Sequence, residues 1–223
     1  MPSEFTRRPR LLKGALVAYQ SQLIPGVPRI VVFQYNPDTM TRTLRHRRGA
    51  QERRGLAESR ESLEVTGPPE ESLSLTVSLD AADQLEVPSD NPVVVAAGLH
   101  PALATLELLM YPPSQEILTS AILAAVGARQ VRSFEVPTVL LVWGAARVVP
   151  VRLDSLSITE KAFDTLLNPI LAEAQLELTV MSYADLEAGT LGHGVSIAHH
   201  VAKEALGLAH QVKTAVEIAT LPF

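Results

Sequence analysis

No cysteine occurs in the 223 residues, so neither a disulfide framework nor a thiolate metal site is open to this chain. Aromatic residues are scarce, at 4% with a single tryptophan. The arginines therefore lack the stacking partners of a nucleic-acid surface, and with a net charge of −5 no nucleic-acid partner is expected. Long apolar runs are missing too. The longest uncharged stretch, Asn91 to Leu106, has 16 residues and includes Gly98, His100 and two prolines. That falls short of the roughly 20 residues a membrane span needs. The N-terminus has Arg7, Arg8 and Arg10 but no apolar signal-peptide core behind them. A soluble protein without a membrane span is expected, made in the cytoplasm, whose export would need a machine rather than a leader.

Signatures of chemistry are absent as well. There is no G-x-S-x-G, no P-loop and no dinucleotide fingerprint. Four of the six histidines, His193, His199, His200 and His210, lie near the C-terminus. His199 and His200 are adjacent and point apart on a helix, and His200 and His210 do not share a face. No catalytic, cofactor-binding or metal-ligating residue is assigned, and no enzyme is expected.

What the chain does contain is alternation. From Ala172 to Val180 the even positions are Ala172, Ala174, Leu176, Leu178 and Val180, against Glu173, Gln175, Glu177 and Thr179. Leu73, Leu75, Val77 and Leu79 repeat the pattern against Ser74, Thr76, Ser78 and Asp80. Strict period two predicts strands with one buried and one wet face, as in an antiparallel sheet. Between Arg147 and Glu160 the apolar set Val149, Val151, Leu153 switches parity to Leu156 and Ile158. A one-residue slip would expose the whole set, so a β-bulge is predicted near Asp154 and Ser155. Further strands are predicted over 11–19 and 29–35. Asn36-Pro37 forms a turn, because proline fixes its own φ and keeps the preceding residue extended. Trp143-Gly144 and Asn168-Pro169 read as turns of the same structural kind.

A helix is predicted from His100-Pro101, with Leu103, Leu106 and Met110 on one face, and a second short one over 114–126. Residues 45–72 read as a long polar loop with six arginines. Such a loop either orders Arg45, Arg47, Arg48, Arg53 and Arg54 against an acidic neighbour or is a solvated linker. Residues 1–10 form a basic arm. Residues 184–223 form a helical extension whose seam, Ile197, Val201, Ala205, Leu208, Val212, Ala215 and Ala219, docks on a partner or on its own domain. Charge is uneven: residues 1–60 hold 12 Arg or Lys against 4 Asp or Glu, and the rest hold 7 against 20. Such asymmetry suits head-to-tail association.

Phe33, Tyr35, Asn36, Pro37 and Asp38, followed by Trp143-Gly144, Phe163-Asp164 and Asn168-Pro169, occur in an order that resembles the tube-protein family of contractile injection systems. The resemblance spans roughly residues 11–183. It implies an antiparallel β-barrel or two-sheet tube fold with one packed helix, an α+β chain from whose family pattern the C-terminal helical extension departs. It implies a hexameric ring of this chain in which the sheets join around a lumen. Its partners would be the spike hub protein, the tube protein and baseplate components of a phage-tail-like particle, whether or not the particle leaves the cell. No LysM-like sequence follows Met181. The added loop and terminal helix favour a baseplate adaptor between hub and tube, with a repeated inner-tube subunit and a small-ligand β-barrel as alternatives.

Overall fold

The computed structural model describes residues 12–19, 29–47, 67–125, 127 and 136–219. Seven strands occur among the described residues: β1 (Ala15–Tyr19), β2 (Arg29–Val32), β3 (Met40–Arg45), β4 (Glu70–Asp80), β5 (Thr138–Val142), β6 (Val148–Phe163) and β7 (Pro169–Val180). They form one antiparallel sheet in the order β2-β1-β5-β6-β7-β4-β3. The period-two segments become β4 and β7, which lie side by side with Leu75 opposite Leu176 and Leu73 opposite Leu178. On the other side of β7, Leu156 meets Leu176 and Ile158 meets Ala174. The register of β6 slips between Leu153 and Ser155, where the parity of its apolar residues changes. The bulge is thus where the sequence placed it.

The expected barrel or two-sheet arrangement is not what forms. The sheet is single and does not close, for β2 and β3 end it on opposite sides. Alternation specifies which face of a strand is buried, not what buries it. Here the apolar face is covered by helices instead of a second sheet, so a ligand-holding barrel interior is also excluded. Leu16, Leu141, Val149, Val151, Leu73, Leu176 and Leu178 from the sheet form one core with Leu99, Leu103, Leu106 and Leu109.

Five helices occur among the described residues: α1 (Ala82–Leu85), α2 (Pro92–Ala97), α3 (His100–Glu107), α4 (Ser114–Ala125) and α5 (Leu191–Ala219). The predicted face of α3 is packed at Leu103 and Leu106, both buried, but the helix stops at Glu107, so the partly buried Met110 lies in the turn beyond it. The helices α1 and α2 were not read from the sequence, since four and six residues are too short to show a helical period. The loop expected over 45–72 is shorter at both ends, because Arg45 closes β3 and Glu70 opens β4. The basic arm 1–10 and the proposed contacts Arg48, Arg53 and Arg54 lie outside the described residues.

Candidate functional site

Among the described residues, neither β2 nor β3 has an outer neighbour, so each offers a row of backbone donors and acceptors at a sheet edge. The face not covered by the core helices changes character from one edge to the other. Toward β3 it is polar, displaying Thr41, Thr43, Ser72, Ser74, Thr76, Gln175, Glu177 and Thr179. Toward β2 it is apolar, and there Ile30 and Val32 are each 54% exposed beside Val17 and Val142.

An open cleft of about 460 Å³ sits at one end of the polar half, lined by Thr43, Arg45, Arg47, Glu70, Arg152 and Asp185 among others. The turn after β7 brings Asp185 to Arg47, and Nη2 of Arg47 donates to both carboxylate oxygens at 2.6 Å. The hydroxyl and N–H of Ser182 donate to the same carboxylate. Burial works against the ionised form of Asp185, but the hydrogen bonds from Arg47 and Ser182 outweigh it and hold the acid below its usual range. The hydrogen bond to Asp185 raises the guanidinium of Arg47 in turn. Arg152 reaches Asp154 at 2.8 Å across the bulge, and Thr179 donates to the same acid. Arg47 is therefore engaged within the chain, while Arg45 is exposed with no ion pair among the described residues.

At this end too, Glu71 is buried and gathers Lys203 of α5 at 2.9 Å and Arg42 of β3 at 3.8 Å. Sequence reasoning missed both Glu71 and Asp185. Glu71 left a signal: it occupies the parity of Leu73 to Leu79, and a charge at a core-facing position demands a partner. Asp185 left none, because its partner is 138 residues away.

The other motif residues are joints. Asn36 accepts from the N–H of Gly14 and donates to the carbonyl of Leu12, both at 2.8 Å, while Phe33 N–H bonds Gly14 and its ring packs 6.3 Å from Trp143. Pro37 follows in the same turn, and Gly144 takes φ +72 in the β5–β6 turn. Asp164 accepts from the N–H groups of Leu166 and Asn168 and from the Asn168 amide, which lowers its pKa, chiefly through the Asn168 side chain. Pro169 then carries the carbonyl that receives Leu99 N–H, tying the β6–β7 turn to the start of α3.

Four residues of the α5 seam are exposed among the described residues. Ile197, Val201, Leu208 and Val212 are 42%, 55%, 63% and 57% exposed. The side facing the sheet is formed by Gly192, Val195, Ser196, His199 and Lys203, on the opposite side of the helix. His199, half-buried there, has its pKa lowered by burial first and by Lys203 next.

The described residues hold no cluster of three His, Asp or Glu suited to a metal, and no helix long and apolar enough to cross a membrane. Compared with known proteins, the chain matches no family model and no curated protein significantly.

The Arg47–Asp185 pair predicts a pH signature. A depressed carboxylate contributes stability above its unfolded pKa of about 3.9, which is lost as pH falls through the lower folded value. Asp185→Asn is expected to cost about 1–2 kcal/mol at pH 7, the scale of a charged hydrogen bond. It should flatten the melting-temperature profile below pH 4 relative to wild type. Equal slopes for the two proteins in acid would show that the pair does not set the acid response.

Proposed function

We propose that the chain is a structural ring subunit of a contractile injection system, serving at the baseplate to adapt the spike hub to the inner tube. The observation that carries this reading is the open sheet. It has one face packed on the core helices and two edges without outer neighbours among the described residues. A long alternating sheet with bare edges is an aggregation liability in a monomer, and ring closure removes the edges by pairing them across subunits. The ordered motif set resembling the tube-protein family supports the same role, and the exposed α5 residues and charged cleft supply further surfaces for a position with two different neighbours. Six copies are proposed, assembled in the cytoplasm within a phage-tail-like particle and making no membrane span.

The strand count gives the reading a specific geometry. Every neighbouring pair is antiparallel, so over seven strands β2 and β3 run in the same direction. Rotation about a ring axis along the strands preserves direction. The join between β3 of one copy and β2 of the next is therefore a parallel ladder, the less stable kind per residue. A weak join suits a ring that forms only where a hub or tube templates it.

The test is a cryo-EM map of the assembled particle, expected to show six-fold symmetry and a parallel β3–β2 join. A dimer, or three-fold symmetry throughout, would overturn the reading. A matched variant carries Ile30→Lys with Val32→Lys on the β2 edge. Both side chains are half exposed, so stability should change by no more than about 0.5 kcal/mol per site. Incorporation into particles should fall steeply, because charged residues blunt a sheet edge.

A further inference from the structure

Within the first 13 of its 29 residues α5 meets the domain at two points. Gly192 lies against Thr138 at the start of β5, and Lys203 reaches Glu71 on β4. Eleven residues of helix rise about 16 Å, which matches three strand spacings of roughly 4.8 Å. From β5 the helix packs across β6 and reaches β4 through the Lys203 side chain, and the 16 residues from there to Ala219 extend about 24 Å further.

On the outer face of α5 Val201, Ala205, Leu208 and Val212 recur at spacings of 4, 3 and 4, the a/d repeat of a coiled-coil seam. Among the described residues nothing covers it: Val201, Leu208 and Val212 are exposed, and the sheet lies on the opposite side of the helix.

We infer that α5 pairs antiparallel with α5 of a second copy of this chain, about a two-fold axis between Leu206 and Gly207. In that register Leu208 of each copy meets Ala205 of the other, and Val201 meets Val212. Every layer then sums to a similar volume, as close packing requires. A parallel, in-register pair would set Leu208 on Leu208 and Ala205 on Ala205, alternating bulk with voids. The antiparallel arrangement also places Glu204 near Gln211 rather than near another acid, and it opposes the helix dipoles. Each domain sits on the far side of its own helix, so about two helix diameters, roughly 20 Å, keep the bodies apart. Neighbours in a six-fold ring are not related by a two-fold axis. The pair therefore belongs to the free chain and shields the seam before assembly.

The absence of cysteine gives the test a silent background. Val201→Cys and Val212→Cys proteins are made separately, oxidised mildly at about 100 μM, alone and as an equal mixture. The high concentration suits a contact smaller than the ~800 Å² per partner of a standard complex. The mixture is expected to yield a disulfide-linked heterodimer at least ten-fold above the homodimer from either variant alone. Adding Leu208→Glu to both should reduce that yield ten-fold or more without moving the melting temperature, since Leu208 is exposed. Homodimers from each variant alone would mean a parallel pair and overturn the inference. So would no cross-link at all, or a cross-link indifferent to Leu208→Glu. None of these outcomes bears on the ring, whose contacts are the sheet edges.

Discussion

Leu176→Asp protein is expected not to fold. Leu176 is 0% exposed, at the centre of β7, with Leu75 on one side and Leu156 on the other. Replacing the leucine removes a fully buried side chain, a change worth about 2–5 kcal/mol even when the substitute is alanine. The aspartate adds an unpaired charge where no described cation lies among its neighbours, at a further cost of several kcal/mol unless it protonates. Total stability for a domain is about 5–15 kcal/mol. The sum of the two losses reaches that range, so circular dichroism should show no cooperative melt. Thr179→Ser is the control on the same strand, because it keeps the hydroxyl that meets Asp154. A Leu176→Asp protein melting like wild type would mean that β7 is turned over, with its odd positions inward.

The register of β7 and β4 was legible because period two is a local property, repeated four or five times in each strand. The bulge was legible for the same reason. One change of parity in an otherwise regular run has a single geometric meaning, and β6 slips between Leu153 and Ser155. The buried face of α3 followed from Leu103 and Leu106 by the same kind of counting, while its end at Glu107, short of Met110, did not.

Closure was not legible. Whether a sheet joins its first strand to its last depends on strand order and curvature, which no window of sequence contains. The pairing of β1 with β5 links residues more than a hundred positions apart and leaves β2 outermost. The charged end was half legible. The arginines were visible, but Asp185 and Glu71 acquire their meaning only when the turn after β7 and the crossing of α5 bring Arg47 and Lys203 to them. In α5 the seam could be counted, but not its direction. What turned it outward was the unremarkable opposite side, where Gly192 and Ser196 permit close approach to the sheet and Lys203 finds Glu71.

Gly98→Ala is expected to be the most damaging single-methyl change in the chain. Gly98 ends α2 at φ +53 and ψ −133, a conformation essentially reserved for glycine, and forcing a side chain into it costs about 1–3 kcal/mol. A second cost comes from the neighbour. A Cβ at this position would stand 2.4 Å from the carbonyl oxygen of Pro169 and 3.0 Å from Cβ of Asn168. That carbonyl cannot retreat freely, because it accepts the N–H of Leu99 at 2.8 Å and is held by the β6–β7 turn that Asp164 braces. Relieving the overlap would break the joint between the Asn168-Pro169 turn and the start of α3, and Leu103 and Leu106 would lose their seat on the sheet. About 3–5 kcal/mol is expected in total, a fall of roughly 10 °C or more in melting temperature for a chain of this size. Gly189→Ala isolates the first cost from the second, since Gly189 also has positive φ, at +87, with nothing within 4 Å of its Cβ position. It should lose only about 1–2 kcal/mol. Equal losses at the two glycines would mean that backbone strain alone acts and that the contact with Pro169 contributes nothing. A larger loss at Gly98 places the excess in the joint, which makes the Asn168-Pro169 step a clamp between helix layer and sheet.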